Sequence, residues 1–330
     1  MDILISVVIP CYNVSGYVDR CIKGLKAQQF VDTEFIFVND GSTDDTLEKI
    51  RIFAKQDNRV KIIDKVNEGV SKARNRGLEA SVGKYVYFLD GDDYLDDNAL
   101  SIIADALCSD CDLLILPHKG VWKENVLSQL DLGISEGEYA LDDFLKKTSA
   151  LPISYKIYKR SMLCENNISF DEDLLYGEVY TFFFHYLSKC KTVKVISDAL
   201  YNYVKRPSSA VHSLDREKEL SYLRTVHRIN EYARAYPMNI KNTLEYNRPI
   251  MALFNSMIIA KYIRNHTPYK TVSDVLSQFT HDKFFREVLL FMAKYESWKR
   301  KDKYVASMML VSPQLCYLTI MRIYKIRKLE

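Results

Sequence analysis

Tyr85-Val86-Tyr87-Phe88-Leu89-Asp90-Gly91-Asp92-Asp93-Tyr94 reads as a buried strand that ends abruptly in three carboxylates within four residues. Like charges gathered at a strand tip repel one another unless a cation or water screens them. Two outcomes suit such a stretch. One is a solvated acidic turn leading into a helix. The other is a hard divalent cation that arrives with a phosphate-bearing ligand. What precedes the stretch tips the balance.

Upstream and just downstream, strand-like and helix-like runs alternate through the first 117 residues. Apolar, β-rich runs lie at Leu4–Ile9, Glu34–Asn39, Val60–Ile63, Lys84–Leu89 and Asp112–Leu116. Helical patterns occupy Tyr17–Gln29, Asp44–Gln56, Ser71–Ala80 and Asp97–Leu107. Near-continuous apolar strands separated by helices predict an α/β fold with a parallel sheet covered on both faces. Ligands in such folds sit beyond the carboxyl ends of the strands. Four tips carry polar, turn-forming residues there: Pro10-Cys11-Tyr12-Asn13, Asp40-Gly41-Ser42-Thr43-Asp44-Asp45, Asn67-Glu68-Gly69 and Asp90-Gly91-Asp92-Asp93. All are expected to converge on one edge. At the second tip Ser42 or Thr43 suits a helix cap, and Asp44 and Asp45 suit a helix N-terminus. Asp40 is left over, and a carboxylate there can accept from a base N–H. Tyr12 offers a flat face on which that base can stack. Arg74, on the third helix, can reach base or phosphate, or simply be a solvated helix residue.

Beyond residue 117 the pattern weakens, and residues 151–213 are mixed, with several aromatic runs. From Leu214 onward the sequence reads as helices at Glu217–Tyr236, Thr243–Asn265, Val272–Gln278, Lys283–Tyr295 and Gln314–Leu329, punctuated by Pro237, Pro268 and Pro313. The expected division is therefore 1–213, with a nucleotide-binding half to about 117, and a helical region 214–330. At 48% hydrophobic and 27% charged the chain is globular, and a net charge of +3 makes no case for nucleic acid. Seven cysteines without regular spacing, Cys108-Ser-Asp-Cys111 included, read as reduced thiols. No signal peptide and no run of ~18 apolar residues is evident. The expected location is cytoplasmic.

The four tips together resemble family 2 glycosyltransferases with the GT-A fold. The resemblance is dense over residues 4–100 and looser to about 210. It implies a nucleotide-sugar donor, usually a UDP-sugar, and Mn²⁺ or Mg²⁺. It also implies inversion at the anomeric carbon, and a glycan or lipid-linked glycan acceptor on the way to a surface polymer. By similarity, Pro10, Tyr12, Asn13, Asp40, Arg74 and Asp92 bind the donor. Asp90, Asp92 and Asp93 form the metal-binding Asp-x-Asp region. Arg206, in Tyr201-Asn202-Tyr203-Val204-Lys205-Arg206, clamps the diphosphate. Diphosphate leaves readily only when its charge is neutralised, which a divalent ion does.

Three positions depart from the family pattern. Asn39 stands in a frequent Asp pair, and Ser154 stands where Trp is often seen. Val179, in Gly177-Glu178-Val179-Tyr180-Thr181-Phe182, replaces the Asp that usually serves as catalytic base. Valine moves no proton. Glu178 is the favoured substitute, with Asp171, Glu172 or Asp173 as others. The alternative is a catalytically impaired sugar-nucleotide-binding subunit that supports a partner enzyme. The stretch Lys299–Glu330 holds eight basic and two acidic residues. Its last helix suits either an anionic membrane surface or docking on the core or another subunit.

Overall fold

The computed structural model describes residues 2–122, 125–147, 155–205, 216–234, 250, 262–263, 267–294 and 300–327. The chain divides into two compact units: residues 1–172 with 178–207, and residues 173–177 with 208–330.

The first unit opens with β1 (Ile5–Cys11), whose seven residues are all buried. Helix α1 (Val18–Lys26) follows, burying Val18, Cys21, Ile22 and Leu25 along one face at helical spacing. Then come β2 (Thr33–Asp40), α2 (Thr46–Ala54), β3 (Val60–Lys65), α3 (Val70–Ala80) and β4 (Tyr85–Phe88). β1 pairs in parallel with β2 on one side and β4 on the other, and β2 pairs in parallel with β3. Phe53 of α2 packs on Phe35 and Phe37 of β2 at ring separations of 6.5 and 6.1 Å. All three rings are buried, each contributing about 2–3 kcal/mol from lost water contact. Helix α3 lies close on the sheet because Gly77 faces Val8: a Cβ there would meet Val8 Cγ1 at 2.2 Å.

Beyond the Asp90–Asp93 turn come β5 (Tyr94–Leu95), α4 (Ala99–Leu107), β6 (Leu113–Ile115), β7 (His118–Trp122), β8 (Asn125–Gln129), β9 (Gly137–Ala140) and α5 (Leu141–Lys147). β10 (Lys156–Lys159), α6 (Arg160–Glu165), α7 (Glu178–Leu187), β11 (Thr192–Val195) and β12 (Tyr201–Val204) complete the unit. The main sheet has the order β3-β2-β1-β4-β10-β6-β11-β9, and a smaller sheet has the order β5-β12-β7-β8. The mostly parallel, helix-covered sheet matches the fold class read from the sequence. Not among the runs read from the sequence is β10, which lies between β4 and β6, antiparallel to both.

The second unit contains helices α8 (Arg216–Arg234), α9 (Tyr269–His281), α10 (Lys283–Lys294), α11 (Arg300–Val311) and α12 (Pro313–Arg327). Polar pairs inside it include the Tyr222 hydroxyl donating to the Ile250 carbonyl and His227 Nε2 against Asp282 Oδ2 at 2.7 Å. The helix expected at Thr243–Asn265 falls largely outside the described residues. Among the described residues no helix is long and apolar enough to cross a membrane. All seven cysteines are free thiols.

Candidate active site

The first two strand tips are tied together by their own side chains. Asn13 adopts a left-handed backbone (φ 49°), which Asn tolerates better than most residues. Its N–H donates to Ser42 Oγ at 3.1 Å, and its Oδ1 accepts from the Thr43 N–H at 2.8 Å. The next two amides of that loop donate to the second tip as well: Val14 N to Thr46 Oγ1 at 2.9 Å and Ser15 N to Asp44 Oδ2 at 3.0 Å. Ser42 and Thr43 therefore cross-link loops instead of capping α2, whose N-cap, Asp45, makes no side-chain cap bond. Burial pushes the Asp44 pKa up, but hydrogen bonds from Thr46 and Ser15 outweigh it and bring it down to about 2. Tyr12, half-exposed at 50%, stands out on this braced loop.

Asp40 ends β2 and is 3% exposed. Its Oδ1 accepts from Lys65 Nζ at 2.6 Å and the Glu68 N–H at 3.0 Å; its Oδ2 accepts from the Gly69 N–H at 2.8 Å. Three of about four acceptor positions are thus filled, and one remains for an incoming N–H. The third tip folds under it. Asn67 Nδ2 donates to the Asp40 carbonyl at 3.0 Å. Gly41 (φ +70°) permits this approach, since a Cβ there would meet the Asn67 nitrogen at 2.6 Å. Asn67 is a residue whose part the sequence reading missed. Its signal was only the polar tip in which it sits.

The acidic turn is seated against β1. The Gly91 N–H donates to the Pro10 carbonyl at 3.3 Å. A Cβ on Gly91 would lie 2.5 Å from Cys11 Sγ, so only glycine fits between the carboxylates. The three acids then take different places. Asp90 is about one-third exposed, and its Oδ1 accepts from Arg74 Nη2 at 2.9 Å. Asp92 is partly exposed. Asp93, expected among the metal ligands, points inward at 2% exposure. Its Oδ2 accepts from the Tyr201 hydroxyl at 2.5 Å and its Oδ1 from the Val204 N–H at 2.7 Å. Burial, and then the charges of Asp92 and Asp90, push its pKa well above the ordinary carboxylate range. Both oxygens of Asp93 are committed to β12, which leaves Asp90 and Asp92 as the carboxylates of the turn with access to solvent.

Arg74 is buried on α3 at 8% exposure. Its Nη2 bonds Asp90, and its Nη1 donates to Glu178 Oε1 at 3.0 Å. Burial works against its charge, and the two carboxylates overcome that penalty, so the guanidinium stays protonated throughout. Glu178 begins α7 with its side chain 13% exposed, and Val179 follows it partly buried. Of the other acids considered as base, Glu172 Oε1 accepts from Asn75 Nδ2 at 3.0 Å, and Asp173 belongs to the second unit. Arg206 and Ser154 lie outside the described residues.

Among the described residues no three His, Cys, Asp or Glu side chains gather into a metal cage. One or two carboxylates that share a cation with a bound diphosphate need no such cage, because Mg²⁺ and its like keep water and phosphate oxygens as their other ligands. Asp90 and Asp92, partly exposed on one turn, fit that mode.

The tips of the parallel sheet thus carry an exposed aromatic, a buried aspartate and an acidic turn. Residues 6–163 match the model of glycosyl transferase family 2. Over those residues the chain is similar to family 2 glycosyltransferases, and its fold is of GT-A type. It is 27% identical over 316 residues to the uncharacterized glycosyltransferase EpsJ of Bacillus subtilis, covering 88% of this chain and 91% of that one. It is 40% identical over 99 residues to the chondroitin synthase of Pasteurella multocida, covering 30% of this chain and 10% of that one. Among solved structures, residues 1–349 of S. aureus TarS in complex with UDP-GlcNAc superpose with a TM-score of 0.74 at 21% identity. That match covers 98% of this chain and 91% of the other, and it concerns the fold.

Proposed function

We propose that this protein transfers a sugar from a UDP-sugar to a hydroxyl of a glycan acceptor, with inversion and with help from a divalent cation. The convergence of Tyr12, Asp40 and the Asp90–Asp92 turn from successive strand tips carries this reading. The UDP-GlcNAc complex of TarS and the polysaccharide product named for the chondroitin synthase support it. Tyr12 stacks on the base, held out by Pro10 and Asn13, and the remaining acceptor position of Asp40 takes the base N–H. Asp92, with Asp90, holds Mn²⁺ or Mg²⁺. The ion, when bound, neutralises charge that builds on the departing diphosphate.

Glu178 is the proton acceptor in this scheme. Its Oε1 is held by Arg74, and its Oε2 carries no hydrogen bond among the described residues. The acceptor hydroxyl gives its proton to Oε2 as its oxygen bonds the anomeric carbon. The bond from that carbon to the diphosphate breaks on the opposite face, and the electron pair leaves with UDP. Val179 favours a second reading, a donor-binding chain with little turnover of its own. A single assay separates the two: UDP release from UDP-GlcNAc and other UDP-sugars with Mn²⁺, alongside calorimetric UDP binding. Turnover supports the enzyme. Binding of UDP without turnover across donors and acceptors establishes the second reading, and absence of UDP binding rejects both.

A further inference from the structure

Arg74 is placed where a donor contact was expected, yet its guanidinium is already shared. One edge bonds Asp90 of the acidic turn at 2.9 Å, and the other bonds Glu178 at 3.0 Å. Its guanidinium carbon lies over the Phe170 ring, 5.2 Å from the ring centre. Phe170 is stacked on Phe182 at 4.0 Å with only 3° between the ring planes. Phe182 sits on α7 one turn beyond Glu178. The neighbouring Asn75 holds the same loop from below: its Nδ2 donates to the Phe170 carbonyl at 2.9 Å, and its Oδ1 accepts from the Phe170 N–H at 2.8 Å. Two adjacent residues of α3 thus grip the start of α7 by two routes, an ion pair at Glu178 and an aromatic stack through Phe170.

We propose that Arg74 is a positioning residue whose guanidinium keeps the Glu178 carboxylate in register with the acidic turn, and that it acts on turnover through Glu178 and not through the donor. This rests on the assignment of Glu178 as proton acceptor. The planar fork of Arg can hold two carboxylates in fixed directions at once, whereas an ammonium is a single point of charge on a flexible stem. With Oε1 pinned, Oε2 is the oxygen left to meet the acceptor hydroxyl. The same guanidinium sets the distance between that oxygen and the turn that meets the diphosphate. Reacting groups held this way need no search at the moment of transfer, and a displacement of about 1 Å can cost about 100-fold in rate.

The test is steady-state transfer from UDP-GlcNAc, or from the UDP-sugar that the wild type turns over, with Mn²⁺. Arg74→Lys, Arg74→Gln, Glu178→Gln and the double variant Arg74→Gln/Glu178→Gln are compared. Calorimetric UDP binding with Mn²⁺ shows that each variant is folded. Glu178→Gln should lower kcat about 100-fold or more, as loss of a general base does. Arg74→Gln should lower kcat about 10- to 100-fold with donor KM and UDP affinity changed less than about threefold. Arg74→Lys should recover only part of that loss. In the Glu178→Gln background, Arg74→Gln should cost less than about threefold more, because both act at one step. Losses that multiply in the double variant overturn the proposal while leaving Glu178 as base. A tenfold weaker UDP affinity for Arg74→Gln with kcat unchanged also overturns it, in favour of a direct donor contact. A Glu178→Gln variant that runs at the wild-type rate removes the base assignment, and this proposal with it.

Discussion

The two buried tyrosines beside the acidic turn should respond in opposite directions to the same loss of one oxygen. Tyr201 donates to Asp93 Oδ2 at 2.5 Å, and its hydroxyl oxygen also accepts from the Asp90 N–H at 3.4 Å. Tyr87, whose ring centre is 6.3 Å from that of Tyr201, has a buried hydroxyl without a hydrogen-bond partner among the described residues. In Tyr201→Phe a buried carboxyl oxygen loses its donor, at a cost of about 1–3 kcal/mol. At 2% exposure Asp93 has little access to solvent that could replace the hydroxyl. In Tyr87→Phe nothing bonded is lost, and an unsatisfied polar group leaves the core, so stability should hold or rise by about 1 kcal/mol. For a unit of this size, ~2 kcal/mol corresponds to a Tm shift of roughly 4–8 °C. Differential scanning calorimetry of the two variants beside wild type reads this difference. Tyr201→Phe should also weaken Mn²⁺-dependent UDP binding, since the turn loses its anchor, while Tyr87→Phe should not. Equal Tm values for the two variants would refute the claim that Asp93 is an internal anchor.

Three further outcomes are expected. Asp92→Asn should weaken UDP binding about tenfold or more in Mn²⁺ yet leave it unchanged in EDTA; an unaltered isotherm in Mn²⁺ rejects Asp92 as a ligand. Gly77→Ala should lower stability by about 1–2 kcal/mol despite a gain of ~1 kcal/mol in helix propensity, because the added methyl collides with Val8 in a fully buried strand. An unchanged urea midpoint would show that α3 is free to retreat. Lys156 is buried, its Nζ has no hydrogen-bond partner among the described residues and lies 3.8 Å from the centre of the Phe183 ring, and burial lowers its pKa well below the usual lysine range. The unfolded chain keeps that proton up to about pH 10.4 while the folded chain gives it up earlier, so stability should rise with pH between those two values. Lys156→Met should remove that slope and gain ~1 kcal/mol or more at pH 7, read by urea denaturation at pH 7 and 9.5. Parallel wild-type and variant curves would contradict it.

The parallel half of the fold was legible because each strand's apolar run lies within a few residues, and burial on both faces leaves no other use for it. Ile5–Cys11 and the Tyr85–Phe88 run are cases where local pattern and tertiary fate coincide. β10 was not legible. Its Lys-Ile-Tyr-Lys sequence carries weak local preference, and its place between β4 and β6 is decided by partners far away in the chain. The acidic turn shows the same limit at the scale of single residues. Asp90, Asp92 and Asp93 look alike in sequence. A hydroxyl and an amide more than 100 residues later turn the last of them inward. Ser42 and Thr43 carried a sound local cap signal, and Asn13 outcompeted it from another loop. Arg74 reads in sequence as a donor contact or a solvated helix residue, and its two carboxylate partners, 16 and 104 residues away, leave no local signal.

The reversed direction of β10 mixes an entrance with the exits at one edge of the sheet. Ile157 stands opposite Tyr87, and Lys159 opposite Tyr85. The beginning of β10 therefore lies at the edge where β1, β2, β3 and β4 end. The chain leaves the sheet at each of those ends, and the contacts that brace Asn13 to Gly91 all belong to those exits. β10 turns back at Lys159–Arg160 beside the start of β4, at the opposite edge, so that a change of length at that turn is remote from the braced loops.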